Sequence, residues 1–174
     1  MSNIITTDRL ILRKVKKEDA FPMFNNWASD PEVAKYVTWN AHQSVEETKA
    51  IINMWLEEEK DPKTIRYFIT LKGSDEPYGA IDVVEYDNGN PVIGYCLSRQ
   101  LWNQGYMTEA CTAFINYLFS IGFKKILIEA MADNIGSNRV IEKCGFTFTH
   151  KERREHCSRF KPEPIVVNCY EKVK

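Results

Sequence analysis

The sequence predicts a mixed α/β fold, in which a mostly antiparallel sheet carries one parallel pair of strands; three observations predict it. Two strand-turn-helix units stand in tandem in the second half. In the first, Val92, Ile93, Tyr95 and Leu97 lead through Trp102-Asn103-Gln104-Gly105 into an apolar-striped helix; in the second, Ile126 to Met131 leads through Ala132-Asp133-Asn134 into a shorter one. Such a tandem requires parallel neighbouring strands, with a ligand crevice at their carboxyl ends. Third, Asp87-Asn88-Gly89-Asn90-Pro91 is a hairpin signal that joins the strand opening at Val92 to an antiparallel partner before it. The expected sheet has about seven strands, flanked by about four helices.

The elements follow in order. Leu10 and Leu12 alternate with Arg9, Ile11 and Arg13, which sets the first strand. Lys17-Glu18-Asp19 opens a helix carrying Phe21, Met23, Phe24 and Trp27, in which Pro22 is tolerable only within the first turn. A polar link with Pro31 follows. Ser44 with Glu47 is a capping box ahead of Ile51, Ile52, Trp55 and Leu56, and Glu57-Glu58-Glu59 reads as a solvated helix end. Ile65 to Leu71 and Tyr78 to Tyr86 are strands. In the next helix Met107, Ala110, Cys111, Phe114, Tyr117, Leu118 and Ile121 fall on one face, and Gly122 supplies the stop. Ile126, Ile128 and Ala130 share one strand face. Val140, Ile141 and Cys144 share a helix face with Ser137, and Gly145 caps that helix. Thr147 and Thr149 begin a polar strand that carries Lys151-Glu152-Arg153-Arg154-Glu155, and Ile165 to Tyr170 is the last strand.

Composition narrows the class. The 174 residues are expected to form one domain, 1–174, large enough to bury a core without staples. A hydrophobic content of 44% and a charged content of 27% are ordinary for a globular chain, and a net charge of -1 gives no general basic field for nucleic acid or an anionic membrane. The five cysteines form no Cys-x-x-Cys pair, and Cys96, Cys111 and Cys144 sit in core-facing patterns, as buried thiols of a reducing compartment do. With neither a leader-like N-terminus nor a membrane-length apolar run, the expected location is cytoplasmic. No metal is expected: His150 and His156, the latter beside Cys157, would lie about 20 Å apart along a strand.

The functional signal sits at the mouth of the helix after Gly105. A helix that starts directly after a strand and turn points free N–H groups and its positive dipole end outward, which suits a pyrophosphate. Gly105 lets an anion approach the backbone without a Cβ in the way. An ordinary βα turn would read the same way in isolation, and the P-loop and Gly-x-Gly-x-x-Gly patterns are absent.

The Trp-x-x-Gly-Tyr-x-Thr-Glu-Ala string from Trp102, followed after a strand by Asn-x-x-Ser-x-x-x-x-Glu-Lys-x-Gly-Phe from Asn134, resembles the GNAT superfamily of acetyl-CoA-dependent N-acetyltransferases. With the opening Thr7-Asp8-Arg9-Leu10-Ile11-Leu12-Arg13, the resemblance is to the RimJ/RimL-like branch, which acetylates ribosomal-protein N-termini. It covers the chain from about Thr6 to about Glu171, and it implies a GNAT-like fold with a splayed parallel pair. It also implies that backbone around Cys96, Leu97 and Ser98 holds the pantetheine arm of acetyl-CoA, and that Trp102, Asn103, Gln104, Gly105, Tyr106, Met107 and Thr108 form the pyrophosphate turn. Asn134 would contact the cofactor arm and Asn138 would reach it too. Ser137 would protonate the departing thiolate, and the Leu97 N–H would stabilise the oxyanion. Capping of the second helix is the alternative role for Asn134 and Ser137. Trp102 and Met107 depart from the general motif, and Met107 would crowd the phosphate.

Many relatives carry a glutamate just before the Ile-Gly-Tyr of the strand, where this chain has Val92. Asp82 and Glu85 are the fallback bases. An α-amine of pKa ~7.7–8.0 is already about a tenth neutral at pH 7, whereas lysine at ~10.4 is not, so a missing carboxylate favours an α-amine acceptor with water carrying the proton. The expected activity is N-acetylation of a protein N-terminus, possible ribosomal proteins included, or of a polyamine, amino acid or aminoglycoside, by a monomer or homodimer. A non-catalytic CoA-binding sensor is the alternative.

Overall fold

The structure, a computed structural model, describes residues 4–174. Ile4–Thr6 (β1) and Leu10–Arg13 (β2) form an antiparallel pair, the chain turning where the Thr7 N–H meets the Leu10 carbonyl (3.0 Å). A 3-10 turn, Lys17–Asp19, precedes Ala20–Met23 (α1), so Pro22 does fall in a first turn; the helix then loosens into a π turn over Phe24–Ala28, with the Ser29 N–H on the Phe24 carbonyl. These changes of pitch rotate the apolar stripe. Met23 and Trp27 are buried, whereas Phe21 of the same apolar set is 64% exposed.

Pro31–Ala34 (α2) is a helical turn where the sequence was read as a polar link. Its signal is Asp30-Pro31: the Asp30 carboxylate accepts the Glu32 N–H (3.0 Å) and Pro31 needs no partner at that position. Val45–Glu58 (α3) starts at Ser44, whose hydroxyl accepts the Glu47 N–H (3.4 Å), although the Glu47 carboxylate reaches back to Gln43 rather than to Ser44 (2.9 Å). Then come Arg66–Leu71 (β3), Pro77–Asp87 (β4), Asn90–Leu97 (β5), Tyr106–Ser120 (α4), Lys125–Met131 (β6), Ile135–Lys143 (α5), Thr147–Arg154 (β7) and Ile165–Val173 (β8). Asn88 (φ 49°) and Gly89 (φ 81°) make the β4–β5 turn, both left-handed as a tight hairpin demands. Ile121 lies past the end of α4 and is 41% exposed, so the apolar stripe ends one turn earlier than expected.

Among the described residues the sheet has eight strands in the order β1-β2-β3-β4-β5-β6-β8-β7, antiparallel except for β5 and β6. The expected seven lacked β1, whose three residues are too few to show a period. Alternation along β3 builds both layers. Tyr67 and Ile69 join Ile81, Ile93, Phe114, Leu118, Ile128 and Ile141 beneath α4 and α5, while Phe68 packs with Trp27 and Ile52 beneath α1 and α3. The Trp27 ring meets Phe68 edge-on, with centroids 5.3 Å apart. A buried two-pronged pair between Arg13 and Asp19 (2.9 and 2.7 Å) ties β2 to the first helical turn. No helix among the described residues is long and apolar enough to cross a membrane.

The site depends on how β5 leaves β6. Their pairing runs only through Val92 with Leu127 and Ile93 with Ile128; beyond that the strands part. On its other edge β5 stays bonded to β4 as far as Leu97 and Gly79, where a Cβ on Gly79 would lie 2.4 Å from the Cys96 carbonyl oxygen. Only glycine permits that approach. A bulge at Val84 bends β4 beside the point of departure.

Candidate active site at the parted strands

The gap opens into a crevice of about 570 Å³ between β5, the mouth of α4 and the first turn of α5, with α2 on its rim. Of the residues expected to hold a cofactor, Cys96, Leu97, Trp102, Asn103, Gly105, Tyr106, Met107, Thr108, Asn134 and Ser137 line it. Ser98, Gln104 and Asn138 do not. Ser98 is buried with its N–H on the Tyr78 carbonyl (2.6 Å), and the Gln104 side chain turns back to Gln100 (2.9 Å). Asn138 is a bracket: its amide N–H groups go to the Met131 and Asn134 carbonyls (3.0 and 2.7 Å), and its oxygen accepts from Asn168 and the Tyr170 hydroxyl (2.8 and 2.6 Å). All four of its hydrogen-bonding positions are filled, so none is left for a ligand.

Strand alternation fixes what β5 offers. Because the Ser98 N–H turns toward β4, the Leu97 N–H turns the other way, into the gap. The Leu97 carbonyl on that side is taken by the Trp102 indole N–H (2.8 Å), which gives this tryptophan a role in shaping the turn. Cys96 also faces the crevice, but burial pushes its thiol up to about 12, so it is no thiolate nucleophile at neutral pH.

At the mouth of α4, Gly105 takes φ 80° as the N-cap, and the helix's first bond runs from the Glu109 N–H to the Gly105 carbonyl (3.0 Å). The N–H groups ahead of it have no intrahelical partner. The Met107 side chain goes into the core, 7% exposed, so it does not crowd the turn as expected.

The opening Thr7-x-Arg9 string and the Glu109 of the helix string meet here. The Glu109 carboxylate accepts from the Thr7 hydroxyl (2.6 Å), the Arg9 N–H (2.8 Å) and the Arg9 guanidinium (2.6 Å). Arg9 in turn bonds the Gln104 carbonyl (3.0 Å) and lies 4.1 Å over the Tyr106 ring. Across the crevice, Arg139 and Lys143 project from α5 one turn apart, without an ion-pair partner among the described residues. The sequence reading missed both; their i, i+4 spacing after Ser137 was the available signal.

Asn134 caps α5 through its oxygen, which accepts the Ser137 N–H (3.2 Å); its amide nitrogen has no partner among the described residues. Capping and ligand contact therefore use different atoms of one side chain. The Ser137 hydroxyl lies 3.0 Å from that of Tyr95, a residue the sequence reading used only as a strand marker. Burial pushes the Tyr95 phenol well above its usual range, which keeps it a proton donor.

Neither fallback base lines the crevice; its carboxylates are Glu32 and Asp133. Asp82 bonds Arg66 (3.1 Å), and burial raises its carboxyl against the pull of that guanidinium. Glu85 lines a separate hollow of the sheet. Glu85→Gln should leave kcat/KM within a few fold. Asp82→Asn should instead lower Tm, because it strips a partner from the buried Arg66. A fall of ~100-fold in kcat/KM for either, the size of general acid-base catalysis, would reinstate it as the base.

Two segments close the far end. The Asn40 amide bonds the Phe160 carbonyl (3.2 Å), the Ser158 hydroxyl bonds the Thr38 carbonyl (2.6 Å), and the Lys161 ammonium bonds the Ala34 carbonyl. The loops around Asp30 to Asn40 and Arg153 to Glu163 thus form one wall, whose Tyr36 and Val37 reach the crevice.

An Acetyltransferase (GNAT) domain family profile matches residues 9–147. The uncharacterized N-acetyltransferase p20 of Bacillus licheniformis is 32% identical over 143 residues, 80% of each chain. Among solved structures, the fold is similar to RimL, a ribosomal alpha-N-protein acetyltransferase in complex with coenzyme A (TM-score 0.83, 20% identity, 98% of this chain and 97% of that one). It is similar also to the Microcin C7 self-immunity acetyltransferase MccE in complex with acetyl-CoA and AMP (TM-score 0.84, 21% identity, 97% and 94%). At these identities the two structures show a shared fold.

Proposed function

Because the chain belongs to the GNAT acetyltransferase family, whose acyl donor is acetyl-CoA, we propose that it acetylates a primary amine, with a protein N-terminal α-amine as the first acceptor and a small-molecule amine as the second. The observation that carries this is the convergence of three groups on one crevice: the Gly105 helix mouth, the gap-facing Leu97 N–H and the Ser137–Tyr95 hydroxyl pair. The donor's phosphates fit the mouth of α4 together with Arg139 and Lys143, and its amide-bearing arm fits the Asn134 amide nitrogen, all without a partner among the described residues, beside the open edge of β5.

The thioester supplies an acyl carbon open to direct attack by the amine. The Leu97 N–H stabilises the oxygen on which charge then develops. The Ser137 and Tyr95 hydroxyls share a hydrogen bond that either can donate, and with Tyr95 as its donor the serine's own proton is free to meet the sulfur as it departs. With no carboxylate at Val92, the amine arrives already neutral or gives its proton to water, which favours an acceptor of low pKa. RimL is described as acting on a ribosomal α-amine, and its likeness in fold supports that choice.

The test is thiol release from acetyl-CoA with a panel of amines. A peptide with a free N-terminus should react with kcat/KM rising to a plateau as pH passes the α-amine pKa of ~7.7–8.0. If the same peptide reacts equally well with its N-terminus blocked and a lysine left free, the α-amine reading fails. If no amine on the panel releases thiol although acetyl-CoA binds, the catalytic reading fails and the non-catalytic CoA-binding sensor takes its place.

A further inference from the structure

On the sheet face away from α4 and α5, we propose that His150, Glu152 and Cys169 form a zinc site that clips the edge strand β7 to β8. Read along the chain, the metal-ligating partners weighed for His150 were His156 and Cys157, about 20 Å away along a strand, which is why the sequence argued against a metal. The ladder supplies a different neighbour. A bulge at Thr149 brings His150 directly opposite Cys169, and Glu152 follows two residues on. One donor atom from each of the three lies within 4.8 Å of the others. Cys169 pairs with Glu129 on β6, so this group shares the face of Glu129, opposite the core residue Ile128.

The surrounding hydrogen bonds orient the three donor atoms toward a common point. The Thr149 hydroxyl donates to the Cys169 carbonyl (3.0 Å), so at His150 it accepts from the Nδ1 N–H (2.9 Å), which orients the ring. The His150 Nε2 then faces Glu152 Oε2 at 3.8 Å, close to the separation of two donor atoms on one ion. The other Glu152 oxygen is held by Arg154 (2.8 Å), which also holds Glu129 (2.7 Å). A ligating histidine whose second nitrogen is pinned, and a ligating carboxylate whose second oxygen is pinned, are the outer supports a metal centre uses.

Thiol, imidazole and carboxylate together suit Zn²⁺, with sulfur at about 2.3 Å and the other donors at about 2.0–2.2 Å, hence donors about 3.5 Å apart. Closing the present spacing takes about 1 Å, which the exposed side chains of His150 and Glu152 can travel while the buried Cys169 stays put. A hollow of about 690 Å³ borders all three residues and leaves room for water as the fourth ligand.

The test uses the full chain stripped with a chelator, titrated with Zn²⁺ in a calorimeter and with Co²⁺ in a spectrophotometer. One Zn²⁺ per chain should bind, raise Tm and displace Co²⁺ that shows a thiolate charge-transfer band. Cys169→Ser should lose the band, His150→Ala should weaken Zn²⁺ by at least tenfold, and Thr149→Val, which frees the pinned imidazole, should weaken it by ~10- to 100-fold. Cys157→Ser should change nothing. Zinc affinity that survives both His150→Ala and Cys169→Ser, or Co²⁺ bound without a thiolate band, overturns the site. His150 is on the surface, so its variant stays informative should Cys169→Ser fail to fold. None of these readouts depends on acetyl transfer.

Discussion

Ser137→Ala should lower kcat by ~10- to 1,000-fold, bracketing the loss from one oxyanion donor, while acetyl-CoA affinity stays within about threefold. The asymmetry follows from when the charge appears. The intact thioester offers the hydroxyl no anion, so the bond to sulfur strengthens only as the thiolate leaves and contributes to the barrier rather than to binding. The obvious alternative, that Ser137 matters for the stability of α5, is weak on the geometry. The cap is made by the Asn134 side chain to the Ser137 backbone N–H, which alanine keeps. The lost contact is the one to Tyr95, whose hydroxyl retains the Ser137 carbonyl at 3.3 Å. Tyr95→Phe, which releases the serine without removing it, should move kcat in the same direction by several-fold, about the ~1 kcal/mol of one hydrogen bond. Melting temperature and kcat measured on the same preparation separate the two accounts; a destabilised but fully active Ser137→Ala ends the acid assignment.

What the sequence disclosed follows from the range of the forces involved. Periodicity and turn chemistry are local, so the two strand-turn-helix units, the Asn88-Gly89 hairpin and the Gly105 helix mouth were legible, and with them the parallel pair. The core pattern of α4 was visible because its stripe is set by one pitch; in the first helix the pitch changes twice within twelve residues, so no single period tells which of Phe21, Met23, Phe24 and Trp27 are buried. Contacts made by register or across the chain left no local trace. Tyr95 and Ser137 are 42 positions apart, and the Thr7 and Arg9 bonds to Glu109 span about a hundred. Asn138 illustrates the converse. The family resemblance implied that it reaches the cofactor, yet tertiary partners on β8 claim its oxygen.

Gly105→Val should raise the dissociation constant for acetyl-CoA by at least tenfold, about 1.4 kcal/mol, in a protein that still folds. The sequence argument was steric: a side chain would stand where a phosphate must lie. The structure adds a conformational reason. Gly105 holds φ 80° as the residue that turns the chain into α4, a left-handed value that costs a β-branched side chain of order 1–3 kcal/mol. Its Cβ would meet only the Arg9 guanidinium, at 3.4 Å, so there is space for the atom but not for the backbone angle. The turn then relaxes toward negative φ, and the N–H groups of the following residues swing away from their common aim. Gly73→Val is the control, since Gly73 is equally left-handed (φ +86°) in a turn with nothing within 4 Å, far from the crevice in the chain. It should cost comparable stability and leave acetyl-CoA affinity unchanged. Equal affinities for wild type, Gly73→Val and a folded Gly105→Val by calorimetry would mean that the pyrophosphate is not held at this helix mouth.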